Sequence, residues 1–175
     1  MGVSSLSWLG ERLVTTFGLG KLRPAPGTWG SMPPCAVAGL MVFGGLGPNG
    51  TIVHWIIYNG VLAAVLLVFA WACIHYGDAA EARFGKKDPG QICADETAGV
   101  CLPLMFLPAK ALINPGYAIA MIALAFFSFR VLDIIKPWPA NGLQKKPAGW
   151  GVLLDDLAAG VQAMIVVQVV AWTAM

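Results

Sequence analysis

At 175 residues, 58% of them hydrophobic and only 11% charged, the chain has much less polar surface than a soluble domain, in which about a quarter of residues are charged. Its length suits one domain, its mean hydropathy is +0.72, and a net charge of +2 offers no case for nucleic acid as a partner. A water-soluble fold is excluded, and the distribution of the few charges becomes the main source of information.

Residues 1–32 hold no apolar stretch of the kind found in a cleavable signal peptide. From Arg23 to Asp78 there is a run of 54 positions without Asp, Glu, Lys or Arg, and three further charge-free runs follow: Thr97–Ala109, Ala111–Phe129 and Leu157–Met175. A membrane-crossing helix needs about 20 apolar residues, so 55–75, 115–132 and 157–174 are expected to span. Two other segments, 33–47 and 97–109, are shorter and interrupted by Gly or Pro. The expectation is an all-α, polytopic membrane protein, a single membrane-embedded domain over 1–175, with about five apolar helical segments and acidic loops on the cytoplasmic side. The cysteines (Cys35, Cys73, Cys93, Cys101) show no C-x-x-C spacing and read as buried thiols.

If all five segments cross, the stretches 1–32, 77–97 and 133–156 share one side, and 48–52 and 110–114 the other. Ten of the eleven basic residues then share one side, with Lys110 alone opposite. The positive-inside rule makes the basic side cytoplasmic. This bias also argues that 97–109 crosses, whole or as one arm of a helix broken around Pro103 and Pro108. All nine acidic residues fall on the same side, which the rule does not require.

The first polar stretch, Gly18 to Ser31, combines glycines and prolines with Thr28 and Ser31 ahead of a helix start. It can cradle phosphate through backbone N–H groups or serve as a rigid interfacial turn, and it lacks Walker spacing. The second, Asp78 to Glu96, holds Asp78, Glu81, Asp88, Asp95 and Glu96. Asp78 and Glu81, three apart, share a helix face, Gly85 suits a C-cap, and Asp88-Pro89-Gly90 suits a turn. Asp95 and Glu96 open the next apolar segment, where capping and metal ligation are both open. In the third, Arg130, Asp133 and Lys136 recur every three residues before Pro137 and Pro139, and Asp155-Asp156 are expected to precede the last helix. The cations either form a snorkelling stripe or clamp phosphoryl oxygens. Hard cations such as Mg²⁺ are held by carboxylates together with substrate phosphates. Acids and cations gathered at a membrane entrance thus point to metal-assisted phosphoryl chemistry on a lipid headgroup. His54 and His75 read as interfacial residues.

These stretches resemble the phosphatidylglycerophosphatase A family. The resemblance rests on Gly18 with Ala25-Pro26-Gly27-Thr28-Trp29-Gly30-Ser31, on Asp88-Pro89 with Asp95-Glu96 and Gly99, and on Phe129–Pro139 with Leu154–Gly160. Cys93, Ala148 and Val131-Leu132 depart from the family pattern without removing a charged motif residue. The resemblance implies an all-helical, Mg²⁺-dependent phosphatase of the bacterial inner membrane that hydrolyses phosphatidylglycerophosphate to phosphatidylglycerol in phospholipid biosynthesis. Its active site would face the cytoplasm. By matching position, Asp95, Glu96, Asp133 and Asp156 are catalytic candidates, and Asp95, Glu96, Asp155 and Asp156, then Asp78, Glu81 and Asp88, are metal ligands. Thr28, Ser31, Arg130 and Lys136 would hold phosphate. Two rivals are weighed against this reading. A CDP-alcohol phosphatidyltransferase would need a longer Arg-to-Gly spacing and paired late aspartates. A small transporter would need ionisable groups inside the spans, which contain almost none.

Overall fold

The apolar runs become helices because backbone without water partners must satisfy its N–H and C=O groups within its own segment. In the computed structural model, which describes residues 6–87, 89–138, 140–143 and 148–173, every regular element among those residues is helical. Helix α1 (Trp8–Val14) starts at Ser7, whose Oγ accepts the Gly10 N–H at 3.0 Å. Helix α2 (Pro26–Met41) has proline in its first turn and continues through a π turn, Val42–Leu46. Helix α3 (Ile52–Phe84) opens on a Thr51–His54 capping box and closes at Gly85, φ +68°. Helices α4 (Ala94–Leu104), α5 (Pro115–Ile135), α6 (Ala140–Leu143) and α7 (Ala148–Thr173) follow. Asn114 Oδ1 caps α5 by accepting from the Gly116 N–H at 2.8 Å.

Four segments are long and apolar enough to cross a membrane: Pro26–Leu46, Ile52–Phe84, Pro115–Ile135 and Gly149–Thr173. Their most apolar stretches are only 28–39% buried inside the protein. The outward faces carry Leu40, Leu67, Phe127, Ile134 and Trp172, a surface too large and apolar for water. The protein is a polytopic membrane helical bundle.

The expected fifth segment takes the broken form. Helix α4 has 11 residues, about 16 Å of rise, roughly half of a 30 Å hydrocarbon core. It lies at the centre, packed by α2, α3, α5 and α7, with nearly every side chain buried. The chain then continues irregularly to a 3₁₀ turn, Ala109–Leu112, beside the α2–α3 loop, where Asn49 Nδ2 donates to the Leu112 carbonyl at 3.2 Å. Side chains replace the lost helical bonds. Tyr58 Oη donates to Leu104 O at 3.0 Å, Gln168 Nε2 donates to Phe106 O at 2.9 Å, and the Phe106 N–H donates to Asn59 Oδ1 at 2.8 Å. Irregular backbone at this depth is tolerated because protein satisfies it.

Helix limits also differ from the expectation. Helix α2 begins at Pro26 rather than 33, and α7 at Ala148 rather than 157. Asp155 and Asp156 therefore lie about two turns into α7, not ahead of it, and the described acids sit on helices rather than in loops. Hydropathy marks where lipid begins, whereas helical hydrogen bonding continues into the flanking polar turns. The 33 residues of α3 extend about 50 Å, so its C-terminal turns, with Asp78, Glu81 and Arg83, overhang the bilayer core. Helix α1 packs on this overhang, with Gly10 against the Tyr76 ring.

Candidate active site

The first turns of α2 and α4 are locked together by buried hydroxyls. Pro34 lacks the N–H that would bond to Gly30 O, and the Thr97 hydroxyl donates to that carbonyl instead, at 2.8 Å. Thr16 and Thr97 hydroxyls are 2.7 Å apart, and the Cys93 N–H donates to Val14 O at 2.9 Å. The segment after α1, with positive φ at Thr16, Phe17 and Gly18, is thus pinned to the start of α4. Burial pushes the Cys93 thiol up to about 12, so it is an inert packing group against Gly30.

This lock fixes Asp95 and Glu96 in the first turn of α4. Asp156 of α7 meets them, with ligand oxygens of the three carboxylates all within 4.8 Å of one another. Asp95 and Asp156 are buried, at 5% and 2% exposure. Helix α7 comes this close because Gly160 lies directly on the Gly99 carbonyl, an approach that small residues permit between membrane helices. Glu96 Oε2 and Asp156 Oδ2 have no hydrogen-bond donor among the described residues. Buried carboxylates this close cannot all stay ionised without a compensating cation.

Two cations border the trio from the end of α5. Arg130 Nη1 lies 2.8 Å from Asp133 Oδ2, 3.9 Å from Glu96 Oε1 and 3.5 Å from Ser31 Oγ. Ser31 in turn donates to Gly27 O at 2.8 Å. A Cβ at Gly27 would collide with Glu96 Oε1 and crowd the Arg130 guanidinium, so α2 presents bare backbone to the charged groups. Lys136, held at positive φ where α5 ends, pairs with buried Asp155. Burial works to lower the Lys136 pKa, but the hydrogen bond and charge of Asp155 reverse this and leave it raised.

The geometry thus gathers Asp95, Glu96 and Asp156 in one cluster, with Asp133 and Asp155 as ion-pair partners of the flanking cations. Thr28 is partly exposed in the first turn of α2, beside Gly27. Asp78 is exposed on the α3 overhang and Glu81 half-buried there, and neither belongs to the trio. Asp88 lies outside the described residues. His54 caps α3, and His75 stacks on Trp71 at 5.0 Å. Sequence reasoning did not single out Thr16, Thr97 or Gly27 as a structural frame. The only hints were Pro33-Pro34 inside an apolar run and a glycine flanked by motif residues.

Fold and site together define a class: a polytopic helical membrane protein with a polar site of acids and cations at one end of an apolar bundle. A model of the family described as phosphatidylglycerophosphatase A matches residues 12–171. The chain is 32% identical over 160 residues to a phosphatidylglycerophosphatase A of Haemophilus influenzae, covering 89% of this chain and 84% of that one. It is 29% identical over 150 residues to its Escherichia coli counterpart, covering 85% and 76%. It is also 32% identical to a putative phosphatidylinositol-3-phosphatase of Bacteroides thetaiotaomicron, over 166 residues covering 95% and 96%. No solved structure matches. The chain belongs to the phosphatidylglycerophosphatase A family, a family of phosphoric monoester hydrolases.

Proposed function

We propose that the protein is a Mg²⁺-dependent phosphatidylglycerophosphate phosphatase of the bacterial inner membrane, working from the cytoplasmic face in phosphatidylglycerol synthesis. Family membership carries the substrate, and the buried trio beside Arg130 carries the chemistry. The donor set is all oxygen, as a hard dication requires. The donorless oxygens of Glu96 and Asp156 fit such an ion. Asp95, Glu96 and Asp156 would hold it. When bound, the ion supplies Lewis-acid polarisation of a phosphoryl oxygen and orients the ester.

The chain's own residues do the rest. Arg130, oriented by Asp133 and Ser31, offers a planar fork to phosphoryl oxygens. Lys136, steadied by Asp155, adds a second positive charge. Bare backbone at Gly27 lets Glu96 and Arg130 approach the start of α2, where Thr28 and Ser31 would add hydroxyls to the phosphate site. The surrounding apolar bundle lowers the local dielectric and strengthens each of these interactions. Hydrolysis breaks the phosphorus–oxygen ester bond; water supplies hydroxyl to phosphorus and a proton to the departing lipid alcohol.

The relative named as a phosphoinositide phosphatase favours a second reading, in which the headgroup is a phosphorylated inositol. Phosphate release by purified protein in detergent separates the two, with phosphatidylglycerophosphate and phosphatidylinositol 3-phosphate offered in turn, with Mg²⁺ and with EDTA. Release from the first alone, abolished by EDTA, supports the proposal. Preference for the second changes the headgroup, and release indifferent to EDTA overturns the metal assignment.

A further inference from the structure

An apolar groove of about 500 Å³ runs between α2 and α5. Its walls include Ala36 and Gly39 from α2, Phe43 from the π turn that extends it, and Ile122, Ala123 and Phe127 from α5. The depression follows from the small residues facing one another between larger ones. A Cβ added at Gly39 would meet nothing nearer than Ile122 Cδ1 at 3.9 Å. Met32, Phe43 and Phe127 at the rim are 46%, 55% and 63% exposed, so the groove opens outward, on segments that cross the bilayer.

Its upper end meets the polar site. Met32 follows Ser31 on α2, Phe127 stands one turn before Arg130 on α5, and Arg130 Nη1 donates to Ser31 Oγ at 3.5 Å. Polarity therefore switches from charged to wholly apolar within one helical turn. From Met32 to Phe43 α2 advances about 16 Å, the hydrocarbon depth of one leaflet in a core of roughly 30 Å.

We propose that this groove seats one acyl chain of the lipid phosphomonoester whose headgroup enters the Arg130 site. The inference rests on the reading of the protein as a lipid phosphatase. A charged end continuous with an apolar trough one leaflet deep matches a phospholipid in both polarity and length. Lipid tails are as apolar in the bilayer as in a protein groove, so the groove acts by van der Waals packing and by fixing the headgroup relative to the catalytic groups, where small misplacements are costly.

Gly39 lies seven residues beyond Met32, about 10 Å deeper. Gly39→Leu fills the trough at that level, while Gly60→Leu makes the same change on an exposed face of α3 with open space around it. The test measures kcat/KM on phosphatidylglycerophosphate with long chains and with short chains that end above Gly39. Gly39→Leu is expected to reduce the long-chain value roughly tenfold to a hundredfold and so to lower the long-to-short ratio, whereas Gly60→Leu leaves the ratio unchanged. An equal effect on both chain lengths, or none on either, overturns the groove. If the wild-type protein hydrolyses no lipid phosphomonoester, the functional reading fails, and the groove is judged separately by binding. For this, a photoreactive diazirine is placed mid-chain in phosphatidylglycerophosphate. Labelling concentrated on peptides spanning 32–43 and 119–127 of wild-type protein supports the seat. Labelling spread over the lipid-facing helices, or crosslinks between two copies through this face, overturns it. The labelling arm stands even if Gly39→Leu does not fold.

Discussion

At the residue scale the site is governed by repulsion among like charges held close together in a buried cluster. Asp95, Glu96 and Asp156 crowd within 4.8 Å, so removing one charge relieves repulsion while removing a proposed metal ligand. Asp95→Asn and Asp156→Asn are therefore expected to lower turnover by at least about a hundredfold and, in EDTA, to raise the melting temperature in detergent. A lower melting temperature in EDTA would make these carboxylates structural caps instead. Gly27 supports the same site from below. Gly27→Ala drives a methyl into Glu96 and Arg130 and should cut activity about tenfold or more, since displacement by even 1 Å is costly at a reacting centre. Phosphate release at saturating and limiting Mg²⁺ would show the loss partly restored by excess ion if Glu96 is the group displaced.

At the element scale, helix ends are fastened by single polar contacts. Lys136 ties the end of α5 to Asp155 on α7, leaving a buried carboxylate if the cation is removed. Lys136→Met should cost about 3 kcal/mol, and adding Asp155→Asn should restore most of it. A double-mutant cycle on unfolding in mild detergent measures this coupling, and additive losses would dismiss the pair. The broken segment after α4 depends on Gln168 in the same way. Gln168→Leu strands the Phe106 carbonyl and should cost about 1 kcal/mol, seen as faster hydrogen exchange between residues 104 and 112. Exchange equal to wild type would mean that another donor replaces it.

At the scale of the whole molecule, every described motif residue lies toward one end of the bundle, and the opposite end carries Lys110 and the Asn49 loop. Exposed tryptophans at the site end, Trp8, Trp29, Trp138 and Trp150, suit an interfacial belt. The expected orientation is testable by thiol labelling, because the natural cysteines are buried or partly buried. An impermeant maleimide should reach Lys110→Cys in intact spheroplasts and Lys86→Cys only after permeabilisation. Reversed labelling would move the site to the outer face.

The sequence alone determined the class of fold, because hydrocarbon admits only internally bonded backbone and charge-free runs record where that hydrocarbon lies. It also marked Asp95, Glu96, Arg130 and Asp156 among its candidates, since acids and cations crowd beside the charge-free runs and match the family's motifs. Pro103, Pro108 and the charge bias left a whole and a broken crossing both open, and the structure takes the broken form, held by Tyr58 and Gln168. Which acids meet depends on how the helices pack. Asp78 and Asp156 are equivalent as residues, yet one stands on an exposed overhang and the other faces α4 across the Gly99–Gly160 contact. The frame that holds the site, Thr16 and Gly30 on Thr97, joins positions 81 and 67 apart in the chain. No local pattern records such pairings, because they arise from how helices pack and not from how each one forms.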